Sequence, residues 1–279
     1  MRVFVTGGTG FIGSHLIEQA QKAGHEVVAL HRKASKPAVK LSKQPQWIEG
    51  ALETVPDDAF NGCQGFIHLA AHGVADAVGV GWDACFRWNV TAPLNLWLKA
   101  SKAGVRRFVI CGSCFEYGTS GQNFDYIPTN APLLPTGPYH SSKAAASMAA
   151  LGFAVSHQRE IVILRPFHVY GEGEPEGRFW PSLRKAALEG KNFKMTDGKQ
   201  VRDFISVHEV ANKFILSLES KKPKPGNPII ENIGTGKPKT LLEFAQNEWC
   251  RFDAEGVLLP GTVSMRPNEI LRYVPLLSD

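Results

Sequence analysis

The sequence predicts an α/β fold in which a doubly wound parallel sheet carries a smaller C-terminal lobe. Apolar runs of strand length alternate with helix-length amphipathic segments over the first two-thirds of the 279 residues, the pattern of a parallel sheet wrapped by helices. A glycine-rich turn joins the first apolar run to the first helical segment. Beyond Pro166 glycine, proline and charge rise, and the clean alternation stops.

Taken in order, strands are expected at residues 3–6, 27–31, 66–69, 108–111 and 161–164, each a short run dominated by Val, Ile, Leu or Phe. The intervening helices are expected at 11–23, 82–102 and 139–155. Gly24 and Gly104 stand where helix C-terminal stops belong, and Pro138 occupies a first-turn position. The stretch 170–178 opens a second, smaller lobe. Patterning resumes over 201–218 and 229–232, so the chain is expected to return to the first unit. The expected division is 1–165, rejoined at about 205–233, against 166–204 with 234–279. No internal repeat or low-complexity tract is visible.

Bulk properties narrow the function classes. Hydrophobic residues at 43% and charged residues at 20% are ordinary for a soluble globular chain. No apolar run reaches the roughly 18 residues that a membrane span needs, so no membrane partner is expected. The start, Met1-Arg2-Val3-Phe4-Val5, lacks the length and cleavage site of a secretory signal, and the expectation is a cytoplasmic protein. Five cysteines (Cys63, Cys85, Cys111, Cys114, Cys250) are an odd, sparse set that argues against a disulfide framework. Cys111-Gly-Ser-Cys114 has redox or half-zinc spacing, but no second pair follows and it sits at a strand end. No metal site is expected. The net charge of +5 is scattered with no aromatic series beside it, which does not point to nucleic acid.

Thr6-Gly-Gly-Thr-Gly-Phe-Ile-Gly13 follows a strand and opens a helix. In that context Gly7 permits the tight turn, Gly10 lets backbone N–H groups approach a pyrophosphate, and Gly13 lets helix and strand pack closely. The plainer reading is a glycine turn without ligand. The end of the second strand reports which nicotinamide cofactor is used: an acidic residue there would bind the ribose of NAD. Here it reads His31-Arg32-Lys33. Two cations suit a 2′-phosphate, so NADP is expected and NAD is the alternative.

Tyr139-His-Ser-Ser-Lys143 places a phenol and an ammonium on one helical face, one turn apart. A phenol titrates near pH 10, and a neighbouring cation favours phenolate, so Lys143 is expected to activate Tyr139. Alone, Tyr-x-x-x-Lys is more often a surface pair; with the glycine loop it gains meaning.

Together with His68-Leu-Ala-Ala71, Asn89-Val90, Arg107-Phe-Val-Ile110, residues 111–118, Leu164-Arg-Pro-Phe-His-Val-Tyr-Gly171, Val201-Arg-Asp-Phe204 and Arg266-Pro-Asn-Glu269, these motifs span nearly the whole chain. In this the chain resembles the extended short-chain dehydrogenase/reductases, in the NAD-dependent epimerase/dehydratase branch that acts on nucleotide sugars. The resemblance implies a Rossmann-type sheet with a C-terminal substrate-binding lobe, and cofactor contacts from Phe11, Ile12, Leu69, Ala70, Ala71, Asn89, Tyr139 and Lys143. It adds Ser113, four residues before Tyr117, as the hydroxyl that polarises the reacting sugar oxygen, completing a Ser113, Tyr139, Lys143 set. A homodimer paired through long helices is also implied.

Departures from the family pattern refine the expectation. Sugar 4,6-dehydratases of this family resemble Thr-Asp-Glu-Val-Tyr-Gly at the stretch that here reads Ser113-Cys-Phe-Glu-Tyr-Gly118, so Cys114 and Phe115 replace the eliminating pair. Glu116 is one position late, which on a strand would turn it to the other face. Phe115 also occupies the place of the Cys that epimerises carbons beside the ketone, and Cys114 is off register for it. A 4-ketoreductase for a nucleotide-diphosphate 4-keto-deoxysugar and a 4-epimerase with retained NAD remain, and His31-Arg32-Lys33 favours the NADPH-dependent reductase. A non-enzymatic NADPH sensor is a third reading, although such relatives tend to lose the Tyr or Lys. The resemblance assigns diphosphate binding to Arg202 and Arg266 and ribose binding to Glu269. His168 stands where many relatives place an Asn facing the diphosphate. The family's terminal helical segments are not seen after residue 276, so a reduced second lobe is expected.

Overall fold

A computed structural model describes residues 1–74, 81–266 and 269–277. The chain runs β1 (Arg2–Thr6), α1 (Phe11–Lys22), β2 (Glu26–His31), β3 (Gln46–Glu49), β4 (Gly65–His68), α2 (Trp82–Phe86), α3 (Ala92–Lys102), β5 (Arg107–Cys111), α4 (Pro138–His157) and β6 (Glu160–Pro166). It continues through β7 (His168–Tyr170), α5 (Phe179–Leu188), β8 (Phe193–Lys194), β9 (Val201–Arg202), β10 (Phe204–Ser206), α6 (Val207–Glu219) and β11 (Ile229–Ile233), then β12 (Lys239–Thr240), α7 (Leu241–Arg251), β13 (Leu258–Leu259) and β14 (Arg272–Tyr273).

Seven strands make one parallel sheet in the order β11-β6-β5-β4-β1-β2-β3. Alternate residues of each strand face opposite sides, so Val3 and Val5 enter one buried cluster with Leu16, Ile17 and Phe214, while Phe4 enters another with Phe66, Trp97, Phe108 and Phe153. The strand order reverses between β1 and β4, which opens a crevice at their carboxyl ends.

Two elements differ from the expectation. The helix expected at 82–102 is interrupted by a π turn at Arg87–Thr91. Pro93 has no amide to offer the Asn89 carbonyl, so a regular α-helical ladder fails there and the wider turn takes its place. Strand β3 carries no long apolar run, because its edge position needs only Trp47 and Ile48 half-buried between exposed Gln46 and Glu49.

After β6 the chain forms the small sheets β10-β7, β12-β9-β14 and β13-β8. Helices α5 and α7, with Met195 after β8, supply a separate core of Leu183, Ala187, Met195, Ala245 and Trp249. Helix α6 packs on α1 in between, and β11 joins the main sheet beside β6. Among the described residues no helix is long and apolar enough to cross a membrane.

Candidate active site

The crevice is built first by the turn between β1 and α1. Gly7 has φ +72°, and a Cβ there would meet the Ala70 amide nitrogen at 2.6 Å; a Cβ on Gly13 would meet the Gly7 carbonyl oxygen at 2.0 Å. Both positions therefore need glycine. Gly10 caps α1 in an extended conformation with no side-chain cap, leaving the first amides of the helix, those of Phe11, Ile12 and Gly13, without a partner inside the helix. That cradle fits the pyrophosphate of a dinucleotide. Leu69 and Ala70 lie alongside, the Leu69 amide donating to the Thr6 carbonyl at 3.2 Å, while Ala71 is exposed. At the end of β2, His31 meets Trp47 edge-on at 5.3 Å, and Arg32 and Lys33 are exposed.

The buried pair Thr6 Oγ1 and His68 Nδ1, 2.8 Å apart, ties β1 to β4 beneath this turn. Burial, reinforced by the Lys143 charge, pushes the His68 imidazole down to about 3, so it is neutral. Asn89, an expected cofactor contact, has its side chain engaged within the protein. Its side-chain amide accepts from the His72 amide at 2.7 Å and donates to the His72 carbonyl at 3.0 Å and to Ser142 Oγ at 2.9 Å. It holds the loop after β4 against α4.

Helix α4 begins at Pro138, placing Tyr139 and Lys143 in its first two turns with Ser113 opposite, at the end of β5. Ser113 and Lys143 are buried and Tyr139 is half-buried. The expected activation of the phenol by Lys143 is not what the electrostatics give. Burial raises the Tyr139 phenol above its usual range, the thiol of Cys111 adds to this, and the Ser113 hydroxyl pulls the other way. Lys143 Nζ instead donates to the Cys111 carbonyl at 2.6 Å. That carbonyl, at the strand end, captures the ammonium, and desolvation dominates the phenol.

Residues Cys114–Glu116 form a 3₁₀ turn, not a strand, so the face-alternation expected for Glu116 does not apply. The fully buried Glu116 carboxylate accepts from the Ser113 amide at 2.8 Å and from Arg165 Nε at 2.8 Å. Arg165 also donates to the Tyr117 hydroxyl at 3.0 Å, and that hydroxyl donates to Asn232 at 2.7 Å. The Phe115 amide donates to Ser113 Oγ at 3.2 Å. Cys111 and Cys114 are free thiols that burial pushes up to about 11 and about 12, which leaves them protonated and poorly nucleophilic.

At the opposite end, Arg202 is buried and donates to Glu269 at 3.0 Å and to the Ile270 carbonyl at 2.6 Å. The expected separate roles of these two residues are thus joined in one ion pair. Arg266 is exposed, and positions 267 and 268 of its motif lie outside the described residues. The His168 Nδ1 atom is buried without a hydrogen-bond partner. Burial, then the charges of Arg202 and Arg178, hold its imidazole at about 3. The motif spacing gave no signal for Arg178, which stands at the N-terminus of α5. Tyr273 was equally unmarked; its hydroxyl donates to the Cys114 carbonyl at 2.9 Å and so ties the last strand to the Ser113 turn.

Comparison with known proteins follows this geometry. A model of the NAD-dependent epimerase/dehydratase family matches residues 3–234. CDP-abequose synthase of Salmonella typhimurium is 30% identical over 281 residues, covering 96% of this chain and 87% of the relative. The UDP-N-acetylglucosamine 4-epimerase of Methanobrevibacter ruminantium, solved with UDP-N-acetylmuramic acid, superposes with a TM-score of 0.84 at 25% identity, covering 99% of this chain and 89% of the other. MoeE5, solved with UDP-glucuronic acid and NAD, superposes with a TM-score of 0.82 at 27% identity over 99% of this chain and 90% of the other.

Proposed function

Since the chain belongs to the NAD-dependent epimerase/dehydratase family, we propose that it reduces a nucleotide-diphosphate 4-keto-deoxysugar to the 4-hydroxy sugar with NADPH. The observation that carries this reading is the end of β2, where exposed Arg32 and Lys33 stand with no carboxylate among residues 31–33. Two cations there recognise a 2′-phosphate, and NADPH is the cofactor of net reduction. When bound, it supplies the hydride for the ketone carbon.

The protein's own groups do the rest. Ser113 donates to the ketone oxygen and polarises it, and Tyr139 passes a proton to that oxygen as it becomes a hydroxyl. Lys143, held by the Cys111 carbonyl, brings a positive charge beneath the site. Arg202, with His168 and Arg178 near it, faces the diphosphate. Arg266 and Glu269 complete the nucleotide side in this reading, and the long helices α3 and α4 pair two copies as a homodimer.

Similarity to 4-epimerases supports the second reading, oxidation and re-reduction at C4 through retained NAD. One experiment separates them. The purified protein is given a CDP- or dTDP-linked 4-keto-6-deoxyhexose with NADPH or NADH, and separately an NDP-hexose with neither. Stoichiometric loss of reduced-nicotinamide absorbance, faster with NADPH, supports the reductase. Interconversion of the NDP-hexose with its C4 epimer and no net cofactor use overturns it.

A further inference from the structure

Phe115 is a large apolar side chain that the fold leaves 39% exposed at the catalytic turn. Its amide donates to the hydroxyl of Ser113. Its ring stacks on His140, centroids 4.8 Å apart and planes within 21°, and His140 directly follows Tyr139. Tyr273 stacks on the same ring at 6.5 Å. Phe115 is therefore tied through its amide to Ser113 and through its ring to the residue that follows Tyr139. The His140 ring is fixed in turn by the Thr136 carbonyl, 2.9 Å from Nδ1. Cys114, next to Phe115 in the chain, is buried with a protonated thiol, a weak hydrogen-bond partner.

We propose that the Phe115–His140 stack is the specificity wall of the site, selecting a sugar whose substituent beside the C4 carbonyl is methyl or hydrogen rather than hydroxymethyl or hydroxyl. This rests on, and deepens, the ketosugar reading above. An apolar ring covers a methyl group well. A hydroxyl pressed on the same ring loses water and gains no partner, because the stacked ring faces offer it none. Discrimination against an added hydroxyl by apolar walls is modest, on the order of tenfold to a hundredfold.

Binding, not turnover, provides the test, so that its outcome is independent of the reaction assigned. Calorimetry on the NADPH-loaded full chain compares UDP-glucose with UDP-6-deoxyglucose, and CDP-glucose with CDP-6-deoxyglucose. The unaltered protein is expected to bind the 6-deoxy member of the better-bound pair about tenfold or more tightly. Phe115→Ser is expected to bring that ratio close to one, and Phe115→Leu, which keeps an apolar cover, to retain most of it. Equal affinity for both members in the unaltered protein, or a ratio unchanged by Phe115→Ser, overturns the proposal. Ketone reduction with no preference between the two sugars would leave the reductase reading standing and remove this one.

Discussion

Tyr139 sits on a balance between burial, which raises its phenol, and the Ser113 hydroxyl, which lowers it. At neutral pH the phenol is protonated, which is the form an acid needs when a ketone oxygen becomes a hydroxyl. Tyr139→Phe removes that proton and little volume. Turnover of a 4-keto substrate is expected to fall by about 10²- to 10⁴-fold, while NADPH affinity, measured by fluorescence titration, changes little. Unchanged turnover would remove Tyr139 from the chemistry. The residue types and spacing of the glycine loop and of Tyr139–Lys143 were legible in the sequence because their roles are local. The ammonium's carbonyl partner was not, since Cys111 lies 32 positions away.

The turn Cys114–Glu116 shows what an element does for a residue. Its carboxylate reaches back to the Ser113 amide and across to Arg165, in a setting where both side chains are almost fully buried. Stripping one charge from such a pair strands the other, at a cost of about 3 kcal/mol or more. Glu116→Gln is expected to lower the urea midpoint accordingly and to reduce kcat with little change in KM for NADPH. The double variant Glu116→Leu with Arg165→Met removes both charges and is expected to recover most of the stability. If it also recovered kcat, the pair would be structural only. If kcat stayed low, the carboxylate would be positioning Ser113. In the sequence Glu116 stood one position late and was expected to face away from the site, because nothing local shows that β6 delivers a guanidinium beside it.

At the scale of the whole molecule, burial holds the imidazoles of His68 and His168 neutral. His68 under the cofactor turn and His168 at the lobe junction both have folded values near 3, against an ordinary value of 6.5. The folded value lies below the unfolded one, so the unfolded chain binds protons first. The stability tied to these groups is complete above about pH 6.5 and is lost as pH falls toward 3. Below pH 6 the loss is expected to be about 1 kcal/mol per pH unit for each group. Urea midpoints measured from pH 7 to 5 check this, and His68→Gln is expected to flatten the slope. A pH-independent midpoint would contradict it.

The sequence by itself determined the parallel sheet, the glycine turn and the Tyr139–Lys143 pair, because each is written in periodicity or in short spacings that act within one or two turns of chain, while Ser113 came from the family resemblance. Only the tertiary structure decided how those groups are held. The ion pair of Arg202 with Glu269, the Glu116–Arg165 contact, the hydrogen bonds of Asn89 to His72 and the Phe115–His140 stack all join residues apart in sequence. Burial couples such residues through desolvation and unpaired polar atoms, and burial is a property of the packed chain, not of any segment of it.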